Sequence, residues 1–264
     1  MRLGFIGCGN MANAMLGGII KNGIVRSENI ISSDLNQVAL EAAKNTLGIQ
    51  VTTDNKEVVE KSDMIVLSVK PQFYATVINE IKDSITDKQI VITIAPGQTL
   101  DGLKTAFGRE LKIVRTMPNT PALVGEGITA MCYNKNVTEE DADLVESVLA
   151  GFGKVEVVSE NLMDAVVGVS GSAPAYVFMF IEALADGAVA AGMSRDKAYN
   201  FAAQTVLGSA KMLLETGKHP GELKDMVCSP GGTTIEAVRI LEKEGFRSSV
   251  MEAVKACVDK ARNI

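Results

Sequence analysis

The sequence predicts an α/β domain over residues 1–160 followed by an all-helical domain over residues 161–264. Three observations carry this reading. Short apolar runs alternate with helical patterns through the first part, the order of a parallel sheet covered on both faces. A glycine-rich turn joins the first apolar run to the first helical pattern. After about Glu160 no convincing strand follows, and the apolar residues recur at helical spacing.

Leu3–Ile6 reads as a buried strand and Met11–Ile20 as a helix. Ile30–Ser32 is a second strand, with a helical pattern from Val38. Met64–Ser68 and Ile90–Ile94 are further β-rich runs, with Phe73–Ile81 helical between them. Lys112–Arg115 is another strand. Ile128–Cys132 and Lys154–Val157 read as the last ones, separated by a helix over Glu139–Leu149. The second part reads as helices over Pro174–Ala191, Arg195–Leu214, Pro220–Val227, Thr234–Lys243 and Ser249–Ala261. It is rich in Ala, Gly and Met, and small residues on many faces suit close helix packing between subunits.

A chain of 264 residues can bury a core in each of two domains. An apolar share of 47% argues for compact folding over disorder. A formal charge of −6 argues against a nucleic-acid partner, which asks for a basic face. No zinc-type spacing appears, so no metal is expected. Cys8, Cys132, Cys228 and Cys257 lack C-x-x-C spacing and read as reduced thiols of a cytoplasmic protein. Met1-Arg2 runs straight into a strand, so no signal peptide is expected. The uncharged stretch Ala165–Ile181 contains Gly168, Ser170, Gly171, Ser172 and Pro174, and Glu182 and Asp186 follow. It reads as a buried helix with a Gly/Ser-rich entry, so no membrane partner is expected.

The first turn carries G-x-G-x-x-A at Gly7, Cys8, Gly9, Asn10, Met11 and Ala12. Gly7 permits a tight turn, Gly9 lets the backbone approach a pyrophosphate, and Ala12 allows close helix–sheet packing. Placed between a first strand and a first helix, this marks a Rossmann-type dinucleotide-binding domain. The second strand ends at Ser33-Asp34. An acid here pairs the ribose 2′-hydroxyl and favours NAD, whereas the serines and Asn36 could take a 2′-phosphate. The next basic side chain is Lys44, so on residues alone the choice stays open. Ser68, Val69, Lys70 and Pro71 follow one strand, and Ala95, Pro96 and Gly97 follow the next. Both loops belong to the carboxyl edge where open α/β sheets bind ligands. Asn55 reads equally as a helix cap and as a nucleotide contact.

Three hydroxyl-rich turns remain. Met117-Pro118-Asn119-Thr120-Pro121 is stiffened by its prolines. Gly168–Tyr176 enters the longest apolar helix, where Ser172 can act as a cap. Cys228-Ser229-Pro230-Gly231-Gly232-Thr233-Thr234-Ile235 is a turn running into a helix. Its free N–H groups, helix dipole and hydroxyls at Ser229, Thr233 and Thr234 suit a small anion.

With these segments in view, the chain resembles the Δ1-pyrroline-5-carboxylate reductase family. The matching stretches are Gly4–Ala12, Ala95–Gly97, Arg115–Pro121 with Gly125–Gly127, Gly168–Tyr176, Leu184–Gly187, His219–Gly221 and Ser229–Thr234. The resemblance implies a Rossmann domain with a helical dimerisation domain, in a homodimer that can assemble further. It implies an NADPH-dependent reduction, with NADH often accepted, of a cyclic imine carboxylate to proline. Ser229 and the N–H groups from Gly232 to Thr234 would take the carboxylate, with Gly231 and Thr233 also counted among the substrate-binding residues. Thr234 would hydrogen-bond the ring nitrogen, so Thr234 and Ser229 are the candidate catalytic residues. Asn119 and Ser172 join them as substrate contacts. His219, in a turn before Pro220, reads as structural. A cyclic imine or ketimine reductase of wider scope, or a β-hydroxyacid dehydrogenase, is the enzymatic alternative. The latter family carries a lysine on the first long helix of its second domain, and Ser170–Ala185 has none. A nucleotide-sensing protein is the non-enzymatic alternative; it leaves the second polar loop unexplained.

Overall fold

The computed structural model describes residues 1–263, which divide into two compact units. One is Met1–Ser172 together with the C-terminal residues from Cys257 on, and the other is Ala173–Ala256.

The first unit holds β1 (Leu3–Ile6), β2 (Ile30–Ser33), β3 (Gln50–Thr52), β4 (Met64–Leu67), β5 (Ile90–Thr93), β6 (Lys112–Met117), β7 (Gly127–Tyr133) and β8 (Gly153–Val157). They form one eight-stranded sheet in the order β3-β2-β1-β4-β5-β6-β7-β8. β1 to β6 are parallel. β7 is antiparallel to β6 and parallel to β8, so the parallel expectation fails at the last two strands. The cause is local. Only the short 3-10 turn Thr120–Val124 joins β6 to β7, too little chain for the crossover that a parallel pair needs.

Both sheet faces are apolar, and the side-chain period of two sorts them. Leu3, Phe5, Met64, Val66, Ile90, Ile92 and Val114 enter one core with α1 (Asn10–Lys21), α2 (Gln37–Leu47) and α6 (Glu139–Leu149). Ile6, Ile65, Leu67, Val91 and Ile113 enter the other with α3 (Asn55–Glu60), α4 (Tyr74–Ile81) and α5 (Leu100–Phe107).

Past β8 the chain forms α7 (Met163–Val166) and a π turn over Val167–Gly171. These residues pack with the sheet. Met163 is buried with Met117, Ala130 and Cys132. Arg115, only 4% exposed, meets Glu160 at 3.1 Å and Asp164 at 3.9 Å. Arg262 reaches Asp164 at 3.6 Å. The packing boundary therefore falls at Ser172/Ala173, later than residue 160, because this buried arginine draws the connecting residues onto β6.

The second unit contains α8 (Ala173–Ala190), α9 (Arg195–Thr216), α10 (Pro220–Val227), α11 (Thr233–Lys243) and most of α12 (Phe246–Ala261). α8 and α9 pack through Ala185, Ala198 and Ala202, small side chains that let two backbones approach. α9 stops at Gly217 with φ +63°, and His219 caps α10 by accepting the Gly221 N–H at 3.1 Å. The expectation of a buried helix after Ala165 is not met within this chain. α8 buries only Ala185 and exposes Val177, Phe178, Met179 and Phe180, because α9 covers one face of it. Among the described residues, Glu160–Ala190 is one stretch long and apolar enough to cross a membrane by length and composition.

Candidate functional site

β1 feeds directly into the glycine turn. Gly7 lies at φ +103°, where a Cβ would stand 2.7 Å from the Ser68 carbonyl oxygen, so strand spacing and backbone conformation both require glycine. Gly9, the residue before α1, has no heavy atom within 4 Å of where a Cβ would be, and no side chain caps the helix. The N–H groups of Asn10, which is exposed, and Met11, which is half-buried, thus start α1 without a side-chain cap and with the positive end of the helix dipole behind them. This is the arrangement that receives a pyrophosphate.

Side chains that the motif does not name hold this turn. Asn13 donates to the carbonyls of Cys8 at 2.9 Å and Gly9 at 3.0 Å. Ser68 Oγ donates to the Gly7 carbonyl at 2.7 Å. The Cys8 N–H donates to Asp34 Oδ2 at 2.7 Å, and the Asn36 N–H to Asp34 Oδ1 at 2.8 Å. Burial pushes the Cys8 thiol above its ordinary range, outweighing a hydrogen bond with Ser32, so this cysteine is a small buried residue. Sequence reading missed Asn13; its one signal is a polar residue on an otherwise apolar helix face.

At the end of β2 the sequence-derived contacts are revised. Ser33 is fully buried and its Oγ donates to Asn55 Oδ1 at 2.6 Å, so its hydroxyl faces the protein. Asn55 is no cap, since Asp54 accepts the Lys56 N–H and takes that role. Asn55 Nδ2 instead reaches Glu80 at 2.8 Å, completing a chain from β2 through α3 to α4.

The loops after β4 and β5 sit at the same carboxyl edge, because these strands are parallel to β1. Val69 packs beside Gly7, Lys70 is exposed, and Pro71 opens a 3-10 turn. Ala95 is buried, and Gly97 takes φ +77° in the turn that follows. Behind them Tyr74 donates from its phenol to the Leu67 carbonyl at 2.7 Å and receives Thr93 Oγ1 at 2.7 Å. Burial pushes that phenol up to about 12, against the opposing hydrogen bond with Thr93.

After β6, Asn119 is 7% exposed and its amide is engaged. Oδ1 accepts the Ile128 N–H at 2.9 Å and Nδ2 donates to the Ser170 carbonyl at 3.1 Å. It clamps the π turn, which is at odds with the expected substrate contact. Ser172 is likewise occupied, its Oγ accepting from Cys257 Sγ at 3.0 Å. Glu160, also missed, joins Arg115 to the N-terminus of α5 by accepting the Leu100 N–H at 2.8 Å.

In the helical unit, Ser229–Gly232 forms a turn closed by the Gly232 N–H donating to the Ser229 carbonyl at 3.0 Å. Pro230 and Gly231, at φ +67°, hold the two central positions in the type II manner. The Gly232 N–H is thus spent on the turn. The N–H groups that open outward are those of Thr233, Thr234 and Ile235, at the uncapped start of α11. Ser229 and Thr233 are exposed and Thr234 half-buried.

Comparison with known proteins matches the two ends of the chain separately. The family described as pyrroline-5-carboxylate reductase dimerisation matches residues 160–264, and that described as NADP oxidoreductase, coenzyme F420-dependent, matches residues 2–97. The chain is 51% identical over 263 residues to a pyrroline-5-carboxylate reductase of Escherichia coli (strain K12), covering 100% of this chain and 98% of that protein. It is 46% identical to one of Methanosarcina acetivorans, covering 100% and 97%. The crystal structure of a Plasmodium falciparum pyrroline carboxylate reductase with NADP bound superposes with a TM-score of 0.91 at 36% identity, covering 100% of this chain and 97% of that one.

Proposed function

The chain belongs to the pyrroline-5-carboxylate reductase family, and from that premise we propose how its own residues carry the reaction. It is an oxidoreductase that uses NADPH to reduce 1-pyrroline-5-carboxylate to L-proline, a step of proline biosynthesis. The observation that carries the cofactor half is the open N-terminus of α1 behind Gly9. NADPH supplies the hydride for the imine carbon. The residues to hold it are Gly7 to Ala12 at the pyrophosphate, Asp34 and Asn55 at the ribose end, and Ser68–Pro71 with Ala95–Gly97 along the carboxyl edge.

The reaction adds a hydride to carbon and a proton to nitrogen. A protonated cyclic imine already accepts hydride readily, so the protein's task is placement more than acid–base work. We assign the substrate carboxylate to the Ser229 hydroxyl and the N–H groups of Thr233 and Thr234, on the Gly231–Gly232 turn. The Thr234 hydroxyl is placed against the ring nitrogen, where it can hold or relay the proton. Asn119 and Ser172 act as support rather than as direct substrate contacts, since their side chains are taken by Ser170, Ile128 and Cys257.

We further propose a homodimer formed by the helical unit, capable of larger assembly. The exposed Phe178, Met179, Leu207 and Met251 support it, since monomers rarely leave so many large apolar side chains in water. The matched dimerisation family begins at residue 160, which supports a functional division there. Free cysteines at Cys8, Cys132, Cys228 and Cys257 fit a cytoplasmic enzyme. The deciding experiment follows NADPH and NADH oxidation with 1-pyrroline-5-carboxylate. Turnover with L-proline as product supports the reading, and no oxidation of either cofactor sinks it. Sedimentation of the same preparation checks the assembly, and a fully active monomer refutes the dimer.

A further inference from the structure

We infer that Asn119 is a positioning residue for the reduction, acting by clamping the π turn Val167–Gly171 to the carboxyl end of β6. The inference rests on the reductase reading above. The amide is buried, its oxygen holds the start of β7 through Ile128, and its nitrogen holds the Ser170 carbonyl. The turn is an unusual one: the Ser172 N–H reaches back to the Val167 carbonyl at 2.8 Å, closing a π ring. Such turns are rare and concentrate at functional sites. With glycine at 168 and 171 the backbone of the segment is permissive. Besides its own bonds, from the Ser172 N–H to Val167 and from Ser170 Oγ to the Val166 carbonyl, it is tied from outside by Asn119 at a strand end.

The location gives the clamp its function. An extended dinucleotide whose pyrophosphate lies on the β1 turn spans the carboxyl ends of the sheet in both directions. Asp34 after β2 marks the adenosine side. The reacting end then falls on the side of β4, β5 and β6, where Asn119 and the π turn stand. Reacting atoms tolerate little error: a displacement of about 1 Å costs on the order of a hundredfold in rate. A turn that slackens therefore penalises the chemical step and leaves cofactor affinity, set largely at the pyrophosphate, intact.

Asn119→Asp tests this. It preserves the shape and the acceptor for Ile128, but loses the donor to Ser170. Hydrogen exchange, kinetics, cofactor binding and Tm are measured on wild type and variant. Hydrogen exchange of the cofactor-free proteins reads the 167–172 amides. Steady-state kinetics with NADPH and with NADPH dideuterated at C4 read the chemical step, and NADPH fluorescence reads binding. The expected result is faster exchange confined to 167–172, kcat lowered by about ten- to a hundredfold, a larger isotope effect on kcat, and an NADPH Kd within about twofold. Unchanged exchange in the turn overturns the clamp. Faster exchange with unchanged kcat and isotope effect overturns the positioning role, as does lowered kcat with an unchanged isotope effect and a lower Tm, which marks loss of folded enzyme. A raised KM for the imine acid at wild-type kcat overturns it in favour of direct substrate contact. A wild type without turnover fails the reductase reading itself, whatever the exchange result.

Discussion

Asp34, at the end of β2, accepts the N–H of Cys8 in the middle of the glycine turn at 2.7 Å, while its second oxygen accepts the Asn36 N–H at 2.8 Å. The acid expected to greet the cofactor ribose thus also ties the pyrophosphate turn to the second strand. On the proposed reading its charge faces the 2′ position, where NADPH differs from NADH by a phosphate. Two unit charges about 4 Å apart at the effective dielectric of a protein surface interact by about 4 kcal/mol before screening. The substitution Asp34→Asn keeps an acceptor for one N–H and removes the charge. It should raise the ratio of kcat/KM for NADPH over NADH by about tenfold or more. Competing-cofactor kinetics measure that ratio, and an unchanged ratio places the carboxylate away from the 2′ position.

Gly7 and Gly9 are two residues apart and predict opposite phenotypes. An alanine at Gly9 meets no heavy atom within 4 Å, so Gly9→Ala should fold with a Tm close to wild type and bind NADPH at least about tenfold more weakly. Its methyl group fills the space in front of α1. At Gly7 a Cβ meets the Ser68 carbonyl oxygen at 2.7 Å from a φ of +103°, so Gly7→Ala should cost about 1–3 kcal/mol in urea unfolding even without cofactor. Equal stability of the two variants would contradict this assignment.

The contrast shows what was legible in the sequence. The G-x-G-x-x-A spacing is a local rule of chain geometry, so the turn, its strand and its helix could be read directly. The helices of the second unit were equally readable from their period and from Pro220 and Gly217 at their ends. β3 was not, because Gln50–Thr52 is short and half-exposed and has no apolar alternation. α5 escaped because only Leu100, Leu103 and Phe107 form its apolar face over eight residues, although Thr99 caps it. The reversed β7 had a signal, the short connection from Met117 to Gly127. The contacts of Asn119, Glu160 and Asp34 had none. Each bonds a backbone group far along the chain, and such pairings follow from the fold rather than from neighbouring residues.

In the helical unit, the Ser229 hydroxyl stands where a side chain on Gly232 would go: a Cβ there lies 2.3 Å from Ser229 Oγ. The backbone of Gly232, at φ −80° and ψ 173°, accepts any residue. Gly232→Ala should therefore leave the turn folded and rotate the hydroxyl away. KM for 1-pyrroline-5-carboxylate should rise about tenfold, matching the loss of one hydrogen bond to a charged group of about 1.5–3 kcal/mol. Ser229→Ala should do the same, and the double variant should be no worse than either alone, since both remove one interaction. Additive losses would assign the two residues separate roles.

Thr234→Ala probes the other end of the substrate. If its hydroxyl serves the ring nitrogen, kcat/KM should fall about ten- to a hundredfold with NADPH affinity unchanged. Thr234→Ser, which keeps the hydroxyl, should restore most of it. Wild-type kcat/KM in Thr234→Ala removes the residue from the chemistry.

Tyr74 predicts a pH signature of the fold rather than of catalysis. Burial holds its phenol up to about 12, while an unfolded tyrosine titrates near about 10. Below pH ~10 both states carry the proton and the stabilisation is fully present. Between pH ~10 and ~12 the unfolded state releases the proton first, so stability falls as pH rises. About two units of difference correspond to roughly 3 kcal/mol lost over that window. Tyr74→Phe removes the bonds to Leu67 and Thr93 and should cost about 1–3 kcal/mol at pH ~8. The variant lacks the titrating group, so the gap between the two proteins should narrow steadily from pH ~10 upward. Urea unfolding of both at pH values of about 8, 10 and 11.5 measures it. A gap that stays constant across these pH values would mean that the phenol titrates alike in the folded and unfolded chain.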